Sequence, residues 1–163
     1  MRVTAKAILQ DVRKILSKRN AIVKHWENLA EDFSGEPTNL YSLGAKAIPG
    51  KDCRVCMLGA HALVRARLVE SKSGGEFMDL SMSEAHSLKR AERLLSKSVV
   101  KIDKANGLWE LSTIEKNHGF TADGELTASA MSHTNNGLFA GDFTMSRSRK
   151  EVLQILDDAI ASA

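Results

Sequence analysis

Apolar positions recur with a helical period over the first third of the chain. Ile8, Val12, Ile15, Leu16, Val23, Trp26, Leu29, Ala30 and Phe33 fall on one side of a wheel with about 3.6 residues per turn, and Lys6, Arg13, Lys14, Lys18 and Lys24 fall opposite. Thr4 is placed to cap the start. A single helix over this run would be roughly 45 Å long at about 1.5 Å per residue. A compact domain of this size has a radius of gyration of only about 15 Å. The pattern therefore predicts a break near Arg19-Asn20, or a helix that projects from the body. Ser34, Gly35, Pro37, Asn39, Gly44, Pro49 and Gly50 mark residues 34–52 as loop.

Asp52 reads as the N-cap of a second helix, from Cys53 to about Glu70, with Val55, Leu58, Gly59, Ala62, Leu63 and Ala66 on its apolar face. Gly59 in that face predicts a close approach by another element. Ser71 to Gly75 breaks the pattern. A third helix starts at Ser81 or Ser83. Ser81-Met82-Ser83-Glu84 fits a capping box, Leu88, Ala91, Leu95, Val99 and Ile102 form the buried stripe, and Lys89, Arg90, Arg93, Lys97, Lys101 and Lys104 stand opposite. Residues 105–145 lose the period. Glycines recur there among Asn, Thr, Ser and Asp, which reads as an irregular, easily opened segment with room for a short β-hairpin within 105–125. The last helix opens on a second capping box, Ser148-Arg149-Lys150-Glu151, and presents Val152, Ile155, Leu156, Ala159 and Ile160 to a core. The expected fold is mainly α, a compact single domain over 1–163 built as a bundle of about four to six helices.

Composition supports one ordinary core. The chain has 163 residues, 43% hydrophobic, 26% charged and 5% aromatic, with 23 Lys+Arg against 20 Asp+Glu and a net charge of +3. About two-thirds of the surface of such a chain is buried on folding. No apolar run reaches the ~18 residues that cross a bilayer, and Met1 to Gln10 lacks a secretory pattern. Two cysteines three positions apart are too few for a disulfide framework. These features predict a cytoplasmic protein with no membrane contact.

The segment Cys56-Met57-Leu58-Gly59-Ala60 and the run from Ser148 through Glu151-Val152-Leu153-Gln154-Ile155-Leu156-Asp157-Asp158-Ala159-Ile160 resemble a small uncharacterised bacterial and phage family, a domain of unknown function. Its members carry a Cys-x-x-Gly-Ala helix mid-chain and a Glu-Val-Leu-x-x-Leu-Asp-x-Ala-Ile helix at the end. The family's Trp-Asn-Asp before the last helix is replaced here by Phe139-Ala140-Gly141-Asp142, where only Asp142 corresponds. The resemblance implies a setting inside a bacterial or phage-infected cell and supplies no activity.

Chemistry-bearing residues are sparse. Cys53-x-x-Cys56 with His61 invites a zinc reading, but on one helix the three side chains diverge, and two further ligands such as His118 and His133 would be needed. No metal and no cofactor is expected. Cys53, in a first helical turn, is the first candidate for an activated thiol, with Cys56, expected to be buried and less reactive, as the other. His118 or His133, oriented by Asn117, Asn135 or Asp142, would complete a cysteine-dependent hydrolase or transferase. His25 and His86 fall on charged faces and are expected in solvent. The basic helix faces allow a nucleic-acid footprint, which the small net charge and the acidic clusters weaken. The last helix carries Arg147, Arg149 and Lys150 at its N-terminus and Asp157 and Asp158 towards its C-terminus, each against the macrodipole. Pairing with charges elsewhere explains this arrangement, and so does an anionic ligand or acidic partner held by the basic trio. Phosphate-binding loops, nucleophile elbows and zinc-protease motifs are absent. The leading expectation is a non-enzymatic accessory protein that binds another protein, phage-encoded and directed at a host protein, with the thiol enzyme and the nucleic-acid module as alternatives.

Overall fold

The computed structural model describes residues 2–24, 28, 30–39, 44–71, 80–105 and 148–163. Four helices and one two-stranded ladder are formed among them. Helix α1 spans Ala5–Leu16, strand β1 Ala30–Glu31, strand β2 Arg54–Val55, helix α2 Met57–Glu70, helix α3 Met82–Ala105 and helix α4 Arg149–Ala161. The mainly α architecture is as expected. The hairpin allowed within 105–125 and the irregular segment 105–145 fall almost wholly outside the described residues. None of the described helices is long and apolar enough to cross a membrane.

Helix α1 begins where Thr4 Oγ1 accepts from the Ala7 amide at 3.1 Å. Its Ile8, Leu9, Val12, Ile15 and Leu16 are buried at spacings of one face, and Arg13 and Lys14 occupy its last turn. This helix packs against α2, α3 and α4, and α3 also packs against α4. The core is therefore built round α1, with Leu88, Ala91, Leu95, Val99 and Ile102 of α3 and Val152, Ile155, Leu156 and Ala159 of α4 joining it. The first predicted capping box forms in full, and at the second Ser148 caps the helix through its hydroxyl. Glu84 N donates to Ser81 Oγ at 3.1 Å and Ser81 N to Glu84 Oε1 at 3.2 Å, while Glu151 N donates to Ser148 Oγ at 3.2 Å. A buried hydrogen bond, Ser98 Oγ to the Ile155 carbonyl at 2.6 Å, joins α3 to α4.

The predicted break near Arg19-Asn20 is present, and Asn20 takes a positive φ of 59°. The described residues beyond it, 21–24 and 30–39, are not helical, contrary to the period through Phe33. Ala21 and Val23 are buried and Ile22 and Lys24 are not, which is the alternation of an extended strand. Val55 N donates to the Ala21 carbonyl at 2.7 Å and Val23 N to the Val55 carbonyl at 3.1 Å. On the antiparallel side Ala30 pairs with Val55 and Glu31 with Arg54. The apolar residues of this stretch fit a 3.6 period by coincidence, and Phe33, assigned to that stripe, is 48% exposed. After β1 the chain reverses at Asp32, whose Oδ1 accepts from Ser34 Oγ at 2.7 Å, Ser34 N at 2.9 Å and Glu36 N at 3.0 Å. Those donors, the Ser34 hydroxyl foremost, hold the carboxyl below its ordinary range.

The second helix starts later than the sequence predicts. Cys53 belongs to the turn and strand before it, and the N-cap is Cys56, whose Sγ accepts from Gly59 N at 3.3 Å. Asp52 instead accepts from Ile48 N at 2.8 Å, closing the 48–53 turn. The buried face of α2 is also rotated from prediction. Met57, Ala60, His61, Leu63 and Val64 are buried, whereas Ala62 is exposed and Ala66 only partly covered. Small apolar residues lie all round this helix, so its sequence carries little directional signal. Gly59 is buried, as its expected packing role requires.

Candidate functional site

The two thiols were the first candidates. Both are free and buried, with no exposed surface on either Cys53 or Cys56. Cys53 was expected to be the accessible one. It is covered because it enters β2 rather than a first helical turn, so no helix dipole activates it. Burial, aided by the charge of Asp52, pushes its pKa up, which disfavours the thiolate. Among the described residues no three His, Cys, Asp or Glu side chains group closely enough to hold a metal ion. His118, His133, Asn117, Asn135, Asp142, His25 and Arg147 lie outside the described residues. His86 is exposed, as expected.

His61, considered above only as a metal ligand, sits between α2 and α3. It is 4% exposed, with Nε2 3.2 Å from the Leu88 carbonyl and Nδ1 3.7 Å from Glu92 Oε1. Burial lowers its pKa, and this outweighs the nearby Glu92 carboxylate, which acts the other way.

The main polar feature that sequence reasoning missed is a buried ion pair. Glu31 has no exposed surface. Its Oε1 accepts from Arg54 Nε at 2.8 Å and from Lys24 N at 2.6 Å, and its Oε2 accepts from Asn28 Nδ2 at 3.0 Å. Arg54 also donates through Nη2 to the Asp32 carbonyl at 3.0 Å, and its guanidinium lies 5.6 Å from the centroid of the Phe33 ring. Strand pairing of Glu31 with Arg54 places the two charges side by side, and the extended segment ending at Lys24 closes over them.

Arg54, but not Glu31, forms part of the wall of a cleft of about 360 Å³. Lys18 and Asn20 enter from the turn after α1, Ala21 to Lys24 from the extended segment, Arg54 from β2 and Arg149 from the first turn of α4. Four cations therefore line it, and among the described residues no Asp or Glu does. Lys18 also borders a second, mixed groove of about 370 Å³ between α1 and α2, where Asp11, Lys14 and Arg67 provide both signs of charge.

The charges of α4 now have a physical account. Arg149 donates from Nη2 to the carbonyl of Ser17, the C-cap of α1, so a cation unfavourable at its own helix N-terminus complements the C-terminus of another. Asp157 accepts from Arg13 Nε at 2.5 Å and Nη2 at 3.2 Å, and Asp158 accepts from Lys101 Nζ at 2.7 Å. Internal pairing thus accounts for both aspartates. Lys150 is exposed and is not part of the cleft wall. Of the basic trio named from sequence, only Arg149 is placed in the cleft. Lys18, Lys24 and Arg54 were not grouped with it, because their sequence separations carry no local signal.

No family model, no curated protein and no solved structure matches this chain.

Proposed function

We propose that the protein is a non-enzymatic accessory protein that binds another protein, holding an acidic segment of its partner in the basic cleft. Lys18, Lys24, Arg54 and Arg149 come from four separate elements and share one concavity with no carboxylate on its described wall, and this observation carries the reading. A cleft of one charge sign focuses its potential and speeds encounter with an opposite charge. The bacterial or phage-infected cell implied by the resemblance is the proposed setting, with a host protein as the partner.

The test uses a defined Glu/Asp-rich peptide and titration calorimetry. Binding should weaken as salt rises. Lys18→Gln with Arg149→Gln should lower affinity by more than about tenfold, equivalent to ~1.4 kcal/mol. Both side chains are exposed, so only the surface contact of Arg149 with the Ser17 carbonyl is lost and the melting temperature should fall by no more than a few degrees. A double variant that binds as the parent does would overturn the reading. Retention of duplex DNA without peptide binding would favour the nucleic-acid alternative.

A further inference from the structure

We infer that the cleft is a phosphomonoester site, in which Arg54, Lys18 and Arg149 take the three terminal oxygens of a phosphorylated side chain on the partner. The inference rests on the cleft being the binding site and goes further, to the chemistry of its ligand. Arg54 is 5% exposed. Its Nε is taken by Glu31 and its Nη2 by the Asp32 carbonyl. No described residue accepts from its Nη1. A guanidinium nitrogen on the cleft wall with no acceptor among the described residues keeps its donors for an incoming oxygen. Glu31 offsets the charge of Arg54 itself. Lys18 and Arg149 line the same cleft, and neither has a carboxylate partner among the described residues. Arg149 commits one Nη2 hydrogen to Ser17 and retains further donors.

Lys24, the fourth cation of the wall, already has a partner; the other three offer three donor groups, and two of them carry positive charge with no carboxylate among the described residues to offset it. A carboxylate brings one negative charge and two oxygens, which leaves one cation and one donor unmet. A phosphomonoester brings close to two charges and three terminal oxygens, matching both counts. The placement of Arg54 at a buried position also suits phosphate. A planar guanidinium fixed by two internal acceptors still presents a third nitrogen in a set direction, whereas a lysine ammonium offers all three donors from one point. Charge-assisted bonds of this kind are the strongest the protein can offer an anion.

The test compares four probes by calorimetry against the intact chain: a phosphoserine peptide, the same peptide unphosphorylated, the same peptide with Glu at the phosphoserine position, and a nucleoside monophosphate. The phosphopeptide should bind at least tenfold more tightly than the Glu peptide. Inorganic phosphate should displace it, with its ³¹P resonance shifting on binding. Lys18→Gln and Arg149→Gln, singly, should each remove most of that advantage; the melt should be unchanged for Lys18→Gln and only slightly lowered for Arg149→Gln, which loses the Ser17 contact. Equal affinity for the phosphorylated and Glu peptides would overturn the phosphate assignment and leave the acidic-partner reading standing. Failure of both peptides would overturn the two together. A nucleoside monophosphate that binds as tightly as the phosphopeptide would overturn the assignment to a protein side chain.

Discussion

The seam where α1, α3 and α4 meet and the patch around β2 are both sealed from water, yet they are sealed by opposite means. In the seam, Leu9, Val12, Leu95, Val99, Ile155 and Leu156 are almost wholly apolar and fully covered. Any of them can be trimmed with a loss set by cavity and transfer terms. In the patch a carboxylate with no exposed surface is compensated by three donors from three positions, Lys24, Asn28 and Arg54. Its integrity depends on every partner being present, because a buried charge that loses its counter-charge is strongly penalised. The seam is robust and undirected, whereas the patch has to assemble completely.

The sharpest way to separate them is by deletion and rescue. Glu31→Ala leaves Arg54 buried without its carboxylate and should destabilise by about 3–5 kcal/mol in urea unfolding. Glu31→Leu combined with Arg54→Met should recover most of that loss, since an apolar pair of similar bulk replaces the ion pair. Leu9→Ala should cost about 2–5 kcal/mol, and a second truncation beside it should add to the loss. Additive losses in the Glu31/Arg54 pair would show that the two regions are held by the same means.

Next in size is Gly50→Ala, which tests the turn supporting the patch. Gly50 has φ +92°, and a Cβ there would lie 2.6 Å from the Arg19 carbonyl oxygen. The backbone must shift to admit it, so a loss of about 1–3 kcal/mol is expected in thermal melts. Because Arg19 adjoins Lys18, anion binding should weaken in the same variant. An unchanged melt would mean that the 48–53 turn does not rest on the turn after α1.

A smaller effect comes from His61, in the α2–α3 contact. Its folded pKa is depressed below the ordinary value of 6.5. The folded state therefore binds fewer protons than the unfolded one as the pH falls below about 6.5. Stability should be complete above that pH and decline as the pH drops through it. His61→Gln should flatten the stability profile between pH 7.5 and 5.5, with the exposed His86→Gln as the control. Parallel profiles for the parent and His61→Gln would remove His61 as the source.

The smallest effect belongs to the surface clamp between α1 and α4. Arg13 and Asp157 have side chains 38% and 56% exposed. Arg13→Gln should cost less than about 1 kcal/mol, and the difference should fade in 1 M salt.

How much of this was readable in advance follows the same division. Ser81 with Glu84, Ser148 with Glu151, and the stripes of α3 and α4 could be read directly, because capping and 3.6-residue periodicity are local. The segment after Asn20 could not. Val23 and Ala30 satisfy a helical spacing, while the turn that removes them from the helix depends on one left-handed residue. Cys53 was misplaced because Asp52 is a good helix cap by type, yet its carboxylate is used by Ile48. Glu31 gave no sign of burial, because a charged residue off the apolar stripe of a predicted helix reads as solvated unless its partner is known, and Arg54 is 23 positions away. The cleft joins residues 18, 24, 54 and 149, and such a grouping exists only in three dimensions.

The docking of α4 on α1 and α3 also bears on how the chain acquires its structure during synthesis. A nascent polypeptide emerges from its N-terminal end, so α1, α2 and α3 leave the ribosome before Ser148 does. Until then the stripes of α1 and α3 that α4 covers remain open, the carbonyl of Ser17 lacks the Arg149 guanidinium, and the cleft lacks one wall. The immature chain is therefore sticky and has no completed cleft. Arrival of α4 closes the core and finishes the cleft in one event, so closure of the cleft marks completion of the helical core.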